Sequence, residues 1–185
     1  MFPTGSLGTV APTYAPTAAS VPTQLPTAVS SQEDTESSSS CHDHFCTMEV
    51  SNDCKLAYKI NNGLTITMEL TCEGSGEWVG IGFSTDGMMQ GSEAVLGIPG
   101  EQPLKYALNG KYAAAVIPMP QHKQTLTDAS LEVDEDGRTI MRFTKIMKEE
   151  DEIEIRLGEN IFLYARGMTS TLGYHPERSS FTLTL

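Results

Sequence analysis

Residues 56–71 read Leu-Ala-Tyr-Lys-Ile-Asn-Asn-Gly-Leu-Thr-Ile-Thr-Met-Glu-Leu-Thr, and their period decides the fold class. Leu64, Ile66, Met68 and Leu70 alternate with Thr65, Thr67, Glu69 and Thr71. A period of two is that of a strand with one buried face. Asn62-Gly63 separates this run from the apolar residues of 56–60. Asn-Gly between two such runs predicts a hairpin with a type I′ turn, in which both central residues take positive φ.

The same signal extends outward along the chain. Residues 78–83, Trp-Val-Gly-Ile-Gly-Phe, form a buried run with glycines at 80 and 82. Glycine inside a strand marks a place where another backbone or a flat ligand comes close. Further short runs fall at 94–98, 112–117, 139–146, 161–165 and 181–185. Leu131 and Val133 alternate with acids before the turn Asp134-Glu135-Asp136-Gly137, and Ile153, Ile155 and Leu157 alternate with Glu154 and Arg156. No long helical pattern interrupts the series. Short strands between turn signals predict an all-β antiparallel sandwich.

The chain has 185 residues, the length of about one ordinary domain. It carries 24 acidic and 12 basic residues, a formal charge of −12. Only Glu33, Asp34 and Glu36 lie in the first forty residues, so 24 − 3 = 21 acids belong to the rest. Such a domain is a poor partner for nucleic acid or a polybasic-type membrane contact, both of which need Lys and Arg. No apolar stretch approaches the ~20 residues that span a bilayer.

Residues 1–40 have a composition of their own. Pro-Thr recurs at Pro3, Pro12, Pro16, Pro22 and Pro26, Ser37 to Ser40 are consecutive, and Lys and Arg are absent. This predicts a disordered Pro/Thr/Ser-rich tail ahead of a domain at 41–185, since the segment buries too little apolar surface to order itself. It reads either as an O-glycosylated spacer or as a plain linker. Met1 to Val10 lacks a basic, then apolar, leader pattern. An expectation of secretion therefore rests on the tail and the cysteines.

Cys41, Cys46, Cys54 and Cys72 crowd into the start of the domain. An even count beside such a tail predicts two disulfides, with three pairings open, that pin the first strands to 65–72. The run Cys41-His42-Asp43-His44-Phe45-Cys46 also offers two thiols and two imidazoles, the donor set of a zinc site, although not at a zinc-finger spacing.

Two segments carry more than strand pattern: EWVGIGFSTDGMMQGSEAVLGI at 77–98 and LYARGMTSTLGYHPERSSFTLTL at 163–185. Between them lies RFTKIMKEED at 142–151. In this order they resemble the signature segments of the DOMON domain, with Lys145 where that family usually has Arg. The resemblance implies an immunoglobulin-like β-sandwich that acts outside the cell, in secreted proteins or at the cell surface, and binds haem or sugars. In the haem-binding members one Met and one His hold a b-type haem. The matching positions here are Met89, with Met88 the alternative one residue away, and His175.

That ligand pair is chemically sound, since thioether and imidazole are a known axial pair for haem iron and leave no open position for O₂. Gly80 and Gly82 would form the slot for the macrocycle. The absence of Cys-x-x-Cys-His makes any haem noncovalent. The resemblance thus implies electron transfer with a membrane cytochrome or flavoprotein as partner. Its alternative is a non-haem module that binds carbohydrate or a small aromatic ligand. Trp78, the one tryptophan, belongs to the core in the family pattern, and His122 sits in a polar loop. No Gly-x-Ser-x-Gly, His-Glu-x-x-His or phosphate-loop motif is present, so independent catalysis is not expected.

Overall fold

The computed structural model describes the backbone of residues 40–42 and the whole of residues 45–185. The predicted tail, but for the backbone of Ser40, lies outside the described residues. So do the side chains of Cys41, His42 and His44.

In chain order the strands are β1 (Ser40–His42), β2 (Phe45–Glu49), β3 (Cys54–Asn61), β4 (Thr65–Cys72), β5 (Val79–Ser84), β6 (Ser92–Gly97), β7 (Leu104–Leu108), β8 (Val116–Pro118), β9 (Thr127–Val133), β10 (Thr139–Ile146), β11 (Glu159–Arg166) and β12 (Glu177–Thr184). They form two six-stranded sheets, ordered β1-β2-β3-β4-β10-β9 and β12-β11-β5-β6-β7-β8. Every pairing is antiparallel. The fold is the expected all-β sandwich.

Alternation explains the packing. Ile66, Met68 and Leu70 of β4 are fully buried while the threonines between them are half-exposed. They meet Met141 and Phe143 of β10, then Val79, Ile81, Phe83 and Phe162 from the other sheet. On the outer side Arg142 pairs with Glu69 across β10 and β4. The β3–β4 hairpin has the anticipated chemistry: Asn62 and Gly63 take φ of 53° and 68°, and Leu64 N–H donates to Asn61 O at 3.0 Å. Because Asn61 pairs with Thr65, Leu64 becomes the third loop residue and stands exposed. Its place in the alternating run suggested a buried position.

Residues 153–157 also differ from the sequence reading. They alternate like a strand, yet they cross between β10 and β11 without joining a sheet. Single bonds satisfy the backbone instead: Ile155 N–H donates to Met147 O, Ile153 N–H to the Glu93 carboxylate and Arg156 N–H to Asn160 Oδ1. Alternation holds only in part here, since Ile155 is buried but Leu157 is 68% exposed.

Beside this crossing lies a buried ionic cluster. Lys105 of β7 and Lys145 of β10, one from each sheet, are each 1% exposed. Lys105 Nζ lies 3.0 Å from Glu149 and 2.7 Å from Glu152, and Lys145 Nζ lies 2.6 and 2.9 Å from the same two carboxylates. Thr125 also donates to Glu149. The segment 142–151, a signature in the sequence, thus ties the two sheets together at one edge. Burial pushes the Glu149 carboxyl up, but its hydrogen bonds from Lys145, Thr125 and Lys105 outweigh that and hold it at about 2. Stability from this depressed value is complete above the usual value of 4.5 and is lost as pH falls from there toward 2. Glu93 acts in the opposite sense, because burial raises it and lets the folded protein take up a proton first. Urea midpoints measured between pH 5 and pH 2 should fall steadily, and should fall less in Glu149→Gln.

Cys54 and Cys72 are directly opposed on β3 and β4 and form a disulfide with Cα atoms 4.2 Å apart. It joins β3 to the strand at 65–72, a pairing that the cysteine sequence alone left open. Cys46 is disulfide-bonded too, which removes one thiolate that a zinc site at 41–46 would need. On the chain-entropy scale, closing a loop of 18 residues contributes about 3 kcal/mol. The double variant Cys54→Ala/Cys72→Ala should lose about that much in urea unfolding. An unchanged midpoint would show that the sandwich does not depend on this bond.

Candidate functional site

β5 has two different faces. Val79, Ile81 and Phe83 point into the core between the sheets. Gly80 and Gly82 point outward. Over that outer face lies a second apolar cluster of Trp78, Ala94, Leu96, Tyr106 and Leu108, with Met89, Ala165 and Leu172 packed against it. The glycines make this layer possible. A Cβ on Gly80 would come within 2.4 Å of Leu96 Cδ2, and one on Gly82 within 3.0 Å of Leu163 Cβ.

A groove of about 650 Å³ opens on this face, and its floor includes Gly80, Gly82, Leu96 and Leu163. Cofactor and ligand sites commonly have volumes of about 300–1,000 Å³. Met89 and His175 both line the groove, although they lie far apart in the chain. The Met89 side comes from the β5–β6 connection, and the His175 side from the β11–β12 connection.

Each side is held by local bonds. Ser84 and Ser92 are buried, their hydroxyls are 2.8 Å apart, and they reach Met88 O at 3.3 and 2.5 Å. Gly87 N–H donates to Ser84 Oγ, Met88 N–H to Asp86 Oδ1 and Gly91 N–H to Leu108 O. Gly87 and Gly91 take φ of 78° and 85°, which bends the loop back over the sheet. Both neighbouring methionines line the groove: Met89 packs against the outer cluster, while Met88 is 59% exposed at the lip.

His175 is half-buried, with its ring edge-on to Trp78 at 5.4 Å and Nδ1 3.3 Å from Gly173 O. Arg178 donates to His175 O at 3.1 Å. Pro176 confines His175 to extended backbone, which suits the entry into β12. The turn into β12 is tied to the disulfide end of the sandwich, because the Tyr164 hydroxyl donates to Glu177 at 3.0 Å and lies 2.9 Å from Cys54 Sγ. Burial first, then Glu177, pushes the Tyr164 phenol up, so it stays a donor.

Trp78 is buried as expected, but in this outer layer and not between the sheets. It lies flush against Gly167, and its Nε1 has no hydrogen-bond partner among the described residues. Sequence reading missed Tyr112 and Tyr174, which line the groove while remaining 69% and 73% exposed. Tyr174 was one residue from the chosen His, whereas nothing in the local pattern linked Tyr112 to this face. Among the described residues no three His, Cys, Asp or Glu side chains gather into a metal cluster. No helix there is long and apolar enough to cross a membrane.

A model of the DOMON domain matches residues 50–167, well over half of the chain. The chain belongs to the DOMON domain family. The match takes in β5, the Met89 loop and the ionic cluster, and it ends eight residues before His175. No curated protein matches the chain. Within this DOMON domain two of the three sequence signatures meet at the groove, and the third closes the edge of the sandwich.

Proposed function

We propose that this DOMON domain is an extracellular electron-transfer module that holds b-type haem noncovalently in the outer groove, with Met89 and His175 as axial ligands. The observation that carries the reading is that the half-buried Met89, with Met88 exposed at the lip, and the half-buried His175 line one apolar groove with a glycine floor. A proton on His175 Nδ1, donated to Gly173 O, leaves Nε2 with the lone pair that a metal requires. Ser84 and Ser92 fix the loop that presents Met89. Bound haem would supply one-electron exchange, and with both axial positions filled it would carry electrons and not activate O₂. The domain is accordingly not an enzyme in its own right. Its partner would be a flavoprotein or a membrane cytochrome. The disulfides fit an oxidising compartment outside the cytosol.

A second reading has its own support. Tyr112 and Tyr174 stand exposed along the groove, where aromatic faces suit a sugar ring or a small aromatic ligand. The two readings separate in a haemin titration of the oxidised protein, followed by visible absorption before and after dithionite. Narrow α and β bands on reduction support the cytochrome. A folded protein with a flat titration overturns it and leaves the carbohydrate or aromatic-ligand module.

A further inference from the structure

The chain holds twice as many acids as bases, yet among the described residues no Asp or Glu lines the groove. Its two full charges are both positive, Lys111 and Arg178. All twelve Lys and Arg residues lie among the described residues. Eight of them are spent on ion pairs with carboxylates. Lys59 lies over the Phe45 ring, and Lys123 donates to the carbonyls of Glu150 and Asp151. The other two are those in the groove: Arg178 donates to the carbonyl of His175 at 3.1 Å, and neither Lys111 nor Arg178 meets a carboxylate among the described residues. They arrive separately: Lys111 from the β7–β8 connection and Arg178 from β12, toward opposite edges of the sheet. A single surface patch of basic residues does not explain this placement.

We propose that Lys111 and Arg178 are the counter-charges for carboxylate groups on the ligand of this groove. The groove then selects a flat apolar molecule that also bears acid groups, which in the haem reading, on which this inference rests, are the two propionates. A dianion approaching a chain of charge −12 meets a repulsive field over most of the surface. Two cations with no carboxylate partner among the described residues, beside an apolar floor, offset that field where the ligand enters. A neutral sugar gains nothing from either charge.

The test compares two porphyrins that differ only in charge: haemin, and the iron porphyrin in which both propionates are methyl esters. The full oxidised protein is titrated with each at low and high salt, as wild type, Lys111→Glu and Arg178→Lys. The quantity read is the change from wild type to variant for each porphyrin, so their different hydrophobicities cancel. Reversing one exposed charge should weaken haemin binding about three- to tenfold at low salt, less at high salt, and leave the ester unchanged. Arg178→Lys keeps the charge and should retain haemin binding, whereas loss there would assign Arg178 to holding His175 alone. Equal losses for both porphyrins, or no loss for either, overturn the counter-charge assignment while leaving haem binding intact. If wild type binds neither porphyrin, the haem reading falls and this inference falls with it.

Discussion

His175→Ala should leave the sandwich folded and abolish the six-coordinate haem spectrum. The ring lies on the outer face of the second sheet, against Trp78 and Gly173, and is no part of the core between the sheets. Its removal should therefore cost little stability. Met89→Ala should act on the spectrum from the other side of the groove. Under the proposed ligation, loss of the thioether would leave one axial position open, broaden the reduced bands and lower the potential. Met88→Ala is the internal control, since that side chain is mostly exposed and should leave the spectrum unchanged. Added imidazole should restore a six-coordinate spectrum to His175→Ala if the defect is the missing ligand. Wild-type spectra in both alanine variants, with circular dichroism confirming the fold, would remove Met89 and His175 from the site.

The largest loss of stability should come from Glu152→Ala. Glu152 is 2% exposed at its side chain and bonds both Lys105 and Lys145. Without it, two buried ammonium groups share Glu149 alone. Removing one partner from a buried ion pair costs about 3–5 kcal/mol, because a charge is left without compensation. The urea midpoint should drop accordingly. Replacing all four members, Lys105→Met, Lys145→Met, Glu149→Leu and Glu152→Leu, should cost far less, since no orphan charge remains. A single-variant loss below about 1 kcal/mol would mean that water reaches the cluster and screens it.

The two experiments act on different parts of one motif set. Residues 77–98 and 163–185 supply much of the groove, while Lys145 and Glu149 of 142–151 join Lys105 and Glu152 in the lock between the sheets. The resemblance placed the ligand pair in the two outer segments and gave 142–151 no role. Distance from the groove separates them, because Lys145, Glu149 and Glu152 are absent from its lining.

Strand character was legible because period-two alternation is a local property. Each residue of β4 and β10 takes its face from its immediate neighbours, and the Asn62-Gly63 turn takes its φ values from its own two residues. The same locality misled at 153–157, where alternation buries Ile155 but no partner strand is available. Leu64 failed similarly, since the turn claims three residues and leaves it exposed.

The fold class, the hairpin and the short list of ligand candidates were thus readable in local sequence. Strand, turn and charge propensities are set within a few residues of chain. Only the tertiary structure decided which face of β5 is a core and which a groove, since that depends on what covers Gly80 and Gly82. It alone packed Met89 down and left Met88 exposed, brought His175 to the same groove, and placed Lys111 and Arg178 there with no carboxylate partner among the described residues. These are relations between residues tens of positions apart, and sheet order, not local pattern, sets them.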